Sequence, residues 1–198
     1  MDTVANSTAR RLPPGSHGIP ADVVARNQRE RLVAAMAEVC AERGYAEASV
    51  AGVAKRAGVS SVTFYRQFGD KRDCMLATHR QLLERLLEAV DRAGEAGSEP
   101  GEEGVAARRP RAAIHIALAL FAADPPSARL LTVEILAAGP EGVRRHDAMV
   151  DAFAERLGTD WVRVAGMLAL VGKLVTLGEA SRLPGLEDEL VATVSAQS

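Results

Sequence analysis

Aromatic residues are scarce in this chain. It has one tryptophan, two tyrosines and four phenylalanines among 198 residues, or 4%. Alanine and leucine dominate instead, and no alternating apolar–polar run of useful length occurs. That excludes a β sandwich, whose strands draw on β-branched and aromatic residues, and points to helices packed on helices. Cysteine is equally sparse. Cys40 and Cys74 stand far apart with no CxxC spacing. They are expected to be buried free thiols in a reducing cytoplasm, not a disulfide framework. The four histidines (His17, His79, His115, His146) lack ligand spacing, so no metal site is expected, and no cofactor. The N-terminus has no apolar core of the kind a secretory signal needs. The longest apolar stretch, WVRVAGMLALVGKLVTLG, is interrupted by Arg163 and Lys173, which argues against a membrane span.

What is present is a helical pattern with clear punctuation. The composition is 47% hydrophobic and 25% charged, as in a globular chain. Residues 1–80 hold 12 Lys+Arg against 8 Asp+Glu, and residues 81–198 hold 12 against 18. The N-terminal part is therefore the half suited to a polyanion. Residues 1–20, rich in Pro, Gly and Ser, read as a flexible arm. Residues 21–70 read as a helix-turn-helix module, with helices over 21–43, 50–57 and 61–68. A long helix follows over 71–93. The acidic, glycine-rich GEAGSEPGEEG of 94–104 reads as a linker. It follows no strand, so it is not a phosphate loop. Residues 71–198 read as a helical body, with further helices over 105–123, 126–138, 140–157, 160–182 and 186–196.

The informative stretch is AKRAGVSSVTFYRQFGDK, where three of the aromatics fall within five positions. The helix after Gly58 is too short to be stable alone. At 100° per residue, Phe64 and Phe68 share a side facing its neighbours, while Val62, Thr63, Arg66 and Gln67 face away and Tyr65 lies on the flank. A helix, a glycine turn and a second helix form the unit whose second helix enters the major groove. Ser61 and Thr63 suit base edges or phosphates, and Val62 a thymine methyl. Arg66 suits a guanine edge or a phosphate. Tyr65, Lys71 and the helix start near Ser49 suit phosphate contacts. A glycine turn between amphipathic helices also occurs in proteins that never touch DNA, so periodicity leaves that reading open.

SVAGVAKRAGVSSVTFYRQFGDKRD resembles the DNA-binding signature of the tetracycline-repressor (TetR) family of bacterial regulators. Val53-Ala54 and Ala57-Gly58-Val59-Ser60 match its second helix and turn. Thr63-Phe64-Tyr65 match its recognition helix, and Phe68 with Lys71 the end of that helix and the next start. Gly52 and Val62 depart from the residues usual there. The resemblance implies a homodimeric repressor released from a palindromic operator in double-stranded DNA by a small-molecule effector. It places Thr63, Tyr65 and Lys71 at positions that meet DNA, and Ser61, Val62, Arg66 and Gln67 at the variable positions that set operator choice. With the helix starts at Ser49 and Ser60, these are the expected DNA-binding residues. It also implies that the helical body of residues 71–198 is an effector-binding and dimerisation domain. An effector pocket among the central helices would draw on His115, Phe121, Glu134, Met149, Phe153, Trp161 and Met167. A four-helix dimer bundle would draw on Ala165, Leu168, Ala169, Gly172, Leu186, Leu190 and Val194. Two other classes stay in view. A small helical enzyme would need a nucleophile–base pair or metal ligands, and no such constellation is found. A helical ligand- or partner-binding protein with no active DNA-binding role would keep the same helices.

Overall fold

A computed structural model describes residues 20–96 and 105–195, and they contain helices and turns without a β-strand. The helices are α1 (Ala21–Glu47), α2 (Val50–Arg56), α3 (Ser61–Gln67), α4 (Lys71–Ala96), α5 (Val105–Ala123), α6 (Pro125–Thr132), α7 (Pro140–Leu157), α8 (Trp161–Thr176) and α9 (Glu187–Ser195). Short 3-10 turns span Glu134–Ala138 and Ala180–Leu186. The expected N-terminal arm falls almost wholly outside the described residues, as do positions 97–104 of the glycine-rich stretch.

Local chemistry explains most boundaries. Ser49 Oγ accepts from Gly52 N, Ser60 Oγ from Thr63 N, Asp124 Oδ1 from Ser127 N and Asp160 Oδ1 from Arg163 N. Each cap satisfies a donor that the first turn of a helix leaves without a partner. Gly69 N donates to Asp73 Oδ2 while Asp73 N donates to Asp70 Oδ1, a reciprocal pair that starts α4. At the far end of α1, Gly44 has φ 79° and ψ 156°, a conformation that only glycine adopts cheaply. It kinks the helix, and Tyr45–Glu47 continue beyond the kink.

Two expected helices are broken where the sequence pattern ran on. The segment 126–138 is α6 plus a 3-10 turn, parted at Val133 with φ −125° and ψ −60°. α8 packs closely at this break: a β-carbon on its Gly172 would lie 2.9 Å from Val133 Cγ2. The segment 160–182 ends as a helix at Thr176, with Gly178 at φ 74° leading into the second 3-10 turn.

Two hydrophobic cores form. One joins α1, α2, α3 and the start of α4 with Leu130, Ile135 and Ala138 from α6 and the turn after it. The other joins the distal part of α4, through Leu86 and Val90, with α5, α6, α7, α8, the second 3-10 turn and α9. The glycine-rich stretch between α4 and α5 therefore does not part a head from a body. The helices on either side of it pack on each other.

Candidate nucleic-acid interface

The short α3 is held by its inner face. Phe64 and Phe68 are buried, with ring centroids 5.6 Å apart. Burying a phenylalanine side chain is worth about 1.5–3 kcal/mol, more than seven residues gain from helix propensity. Polar groups of α1 grip the two ends of the unit. Arg29 Nη1 donates to the Gln67 carbonyl at 2.7 Å, and its guanidinium lies over the Phe68 ring. Arg31 donates to the carbonyls of Ala57 and Gly58, closing the C-terminal end of α2. Arg56 of α2 pairs with Glu38 and Glu42 of α1. These three arginines were not singled out from the sequence. Nothing in their spacing marks them, since each partner lies elsewhere in the chain.

The opposite side of the unit is open. Val62 is 63% and Tyr65 59% exposed. Ser49, Ser60, Ser61 and Arg66 are exposed too, while Thr63 and Gln67 are half-buried. Tyr65 meets Phe64 edge-on, so its ring is braced while its hydroxyl end faces outward. Ser49 and Ser60 are occupied as helix caps, and Ser60 Oγ also lies 3.0 Å from Thr63 Oγ1. Lys71 is half-buried: its Nζ donates to the Tyr45 carbonyl at 2.9 Å and lies 4.3 Å from the Tyr45 ring centroid. The arrangement presents hydroxyls, a phenol, an amide and a guanidinium along one side, with an ammonium at its edge. Those are groups that hydrogen-bond phosphates and base edges.

In the body, a small, partly open cavity of about 30 Å³ lies among α5, α7, α8 and α9. Its walls are wholly hydrophobic, and Phe121, Phe153 and Met167 are among them. The other residues expected there lie elsewhere. His115 faces outward on α5 and its Nδ1 meets Glu187 Oε2 at 2.7 Å, because that side of α5 is covered only by charged residues of α9. Trp161 is 44% exposed at the start of α8. Met149 is fully buried in the core but off the cavity wall. Glu134 is buried at the junction between the two cores, bonded to Arg129 and Tyr45.

The residues expected at a dimer face divide as well. Leu168 and Leu190 point inward and line the cavity, so they are not available to a second subunit. Gly172 is buried against Thr132 and Val133, a close approach within one chain. Ala169 is exposed, and Ala165, Leu186 and Val194 are half-buried. Ala169, Lys173 and Leu177 line an open groove with Val133 and Leu136, and Leu136 and Leu177 are 43% and 59% exposed.

No helix among the described residues is long and apolar enough to cross a membrane. None of their His, Cys, Asp and Glu side chains cluster in a set of three or more that could hold a metal ion.

Comparison with known proteins agrees with this geometry. Residues 32–78 match the family described as bacterial regulatory proteins, tetR family, a span that runs from α1 through α2 and α3 into α4. A transcriptional regulator of the helix-turn-helix type, BetI from Stenotrophomonas maltophilia, is 42% identical over 77 residues, covering 38% of this chain and 39% of that protein. The chain thus matches about two fifths of that relative's length, and the likeness is confined to the head. Beyond it, folds still agree. A transcriptional regulator from Rhodococcus sp. Rha1 superposes with a TM-score of 0.61 at 29% identity, covering 84% of this chain and 93% of that one. FadR from Bacillus subtilis, solved with stearoyl-CoA, superposes with a TM-score of 0.64 at 21% identity, covering 85% and 98%. The head, residues 32–78, thus matches the tetR family of bacterial regulators in sequence, and the all-α chain matches solved transcriptional regulators in fold.

Proposed function

We propose that this protein is a DNA-binding transcriptional regulator. In this reading it is a homodimeric repressor that sits on a palindromic operator and leaves it when a small molecule enters the body. The observation that carries the reading is the exposed rim of α3, with Tyr65, Arg66, Ser61 and Val62 outward on a helix anchored by Phe64 and Phe68. Ser61, Val62, Arg66 and Gln67 would choose the operator. Ser49, Ser60, Thr63, Tyr65 and Lys71 would fix register on phosphates. Such a protein acts in the cytoplasm, where the chromosome is.

Dimerisation is supported by the small-residue side of α8 and the apolar groove beside it, lined by Ala169, Leu136 and Leu177. A dimer would set two reading heads about 34–36 Å apart, one helical turn of DNA. The effector would occupy the cavity among α5, α7, α8 and α9. Its hydrophobic walls select an apolar molecule by shape and desolvation, with no hydrogen bond to orient it. An acyl chain matches those walls in chemistry, in keeping with the stearoyl-CoA bound by the similarly folded FadR, and would have to widen the cavity of about 30 Å³ as it enters. A ligand that binds the released conformation better shifts the population toward it.

A gel shift with the DNA upstream of its own gene tests the reading. Retardation at low salt, weakening with added salt, is the expected result. A folded dimer that retards no DNA at low salt would remove it.

A further inference from the structure

We infer that the pair of buried Glu134 and half-buried Arg129 in the body is a joint that positions Lys71 for DNA, acting through Tyr45. The inference rests on the DNA-binding reading above. Glu134 is 7% exposed, in the turn after α6. Carboxylates are rarely buried unless they are paired, and both oxygens of this one are engaged. Oε2 accepts the Tyr45 N–H at 2.7 Å, and Oε1 accepts from Arg129 Nε at 2.9 Å. Arg129 Nη2 also lies 2.9 Å from Oε1, and its Nη1 donates to the Ala41 carbonyl at 2.9 Å. Two residues of the body therefore hold both sides of the Gly44 kink in α1. A β-carbon at Gly44 would itself lie 3.6 Å from Glu134 Oε2, so the carboxylate fills the space beside the kink.

The other end of the same residue holds the ammonium. The Tyr45 carbonyl accepts Lys71 Nζ at 2.9 Å, the Ala46 carbonyl lies at 3.4 Å, and the Tyr45 ring covers one side of the charge. An ammonium has three hydrogens, and two point at these carbonyls, which leaves the third for a phosphate. So Tyr45 is gripped at its N–H by the body, while its carbonyl and ring aim Lys71. The helix that carries Arg129 is anchored on both sides. Ala128 and Leu131 belong to the body's core and Leu130 to the head's. An apolar pair could fill the same space with similar stability. What the ion pair adds is fixed geometry at the kink.

The test compares Lys71→Ala in two backgrounds, the wild type and the double variant E134L/R129M, in which apolar side chains replace both charges of the pair. Affinity for a duplex spanning the DNA upstream of the gene is measured across a salt series. In the wild type, Lys71→Ala should weaken binding about tenfold and flatten the salt slope by about one ion. E134L/R129M should do the same, and Lys71→Ala added to it should cost less than about twofold more. Equal losses from Lys71→Ala in both backgrounds would overturn the joint. Glu134→Met alone, which removes the acceptor for the Tyr45 N–H at similar volume, gives the same comparison if the double variant melts early. A second measurement needs no DNA: the Lys71 ammonium hydrogens, followed by NMR, should exchange faster in the variants than in the wild type. Unchanged exchange overturns the joint. A wild type that ignores DNA while the exchange changes as expected removes the DNA-binding reading and leaves the joint standing.

Discussion

The guanidinium of Arg29 lies 4.2 Å from the centroid of the Phe68 ring while one of its N–H groups donates to the neighbouring Gln67 carbonyl. One side chain of α1 thus covers the aromatic that follows α3 and satisfies a carbonyl at the end of that helix. A carbonyl there has no acceptor role inside the helix, so it needs an outside donor. The short helix is stable because its end is supported from another helix.

Removing that support should cost measurable stability without removing the fold. Arg29→Ala is expected to destabilise by about 1–2 kcal/mol, from one cation–π contact and one hydrogen bond. Phe64→Ala, at a fully buried site, should cost about 3–5 kcal/mol. Urea denaturation of the two variants measures both, and a Phe64→Ala loss no larger than that of Arg29→Ala would contradict the anchoring role of Phe64.

Acid should destabilise the protein through His79. This histidine of α4 is buried, and neither ring nitrogen has a hydrogen-bond partner among the described residues. Burial, then the nearby His146 and Arg145, push it down to about 4. A free histidine titrates near ~6.5, so between those values the unfolded chain binds a proton that the folded chain refuses. Stability is therefore full above about pH 6.5 and falls as pH drops towards 4, by roughly 3 kcal/mol in all. His146, half-buried and lowered mainly by burial, adds in the same direction. Melting temperatures across this window should show the decline, and His79→Leu should flatten it. An equal slope in that variant would assign the acid sensitivity elsewhere.

The two thiols should be inert while the chain is folded. Cys40 and Cys74 are fully buried, and both are pushed up to about 12. Burial is the main cause in each, with the Glu134 carboxylate adding to it at Cys40. The thiolate is the nucleophile, so little reactive species exists at neutral pH. A thiol reagent at pH 8 should label neither in buffer and both in denaturant. Rapid labelling of folded protein would show that the head opens locally.

Gly142 should tolerate no side chain. It sits in the first turn of α7, where a β-carbon would lie 2.0 Å from the Ile135 carbonyl oxygen and 3.0 Å from Ala138 Cβ. Alanine in a helix is favoured over glycine by about 1 kcal/mol, but the obstacle here is backbone. Gly142→Ala should therefore destabilise by about 2–3 kcal/mol. Gly166→Ala, with nothing near its would-be β-carbon, is the control and should be neutral or stabilising in the same denaturation experiment.

The all-α class and the reading head were legible because local rules dominate there. Glycine and cap residues set the limits of α2 and α3, and a 3.6-residue period told Phe64 and Phe68 from Val62 and Arg66. In the body, periodicity identified apolar faces but not what they meet. Leu168 and Leu190 share helices with Ala169 and Val194, yet the first two turn to the cavity and Ala169 to the surface. His115 lies on a helix of largely apolar residues, but α9 brings Glu187 to it from outside the core.

The sequence by itself determined the helices of the head, the polar rim of α3 and the hydrophobic character of the body. Each depends on residues close together in the chain. Tertiary structure alone decided the joint between Arg129, Glu134 and Tyr45. In a continuous helix, positions five apart point about 140° away from each other. Arg129 and Glu134 meet because the chain breaks at Val133, where α8 comes close. Tyr45 joins them across a separation of 89 residues. No local pattern encodes that meeting, because the partners are brought together only when the two cores close on α6.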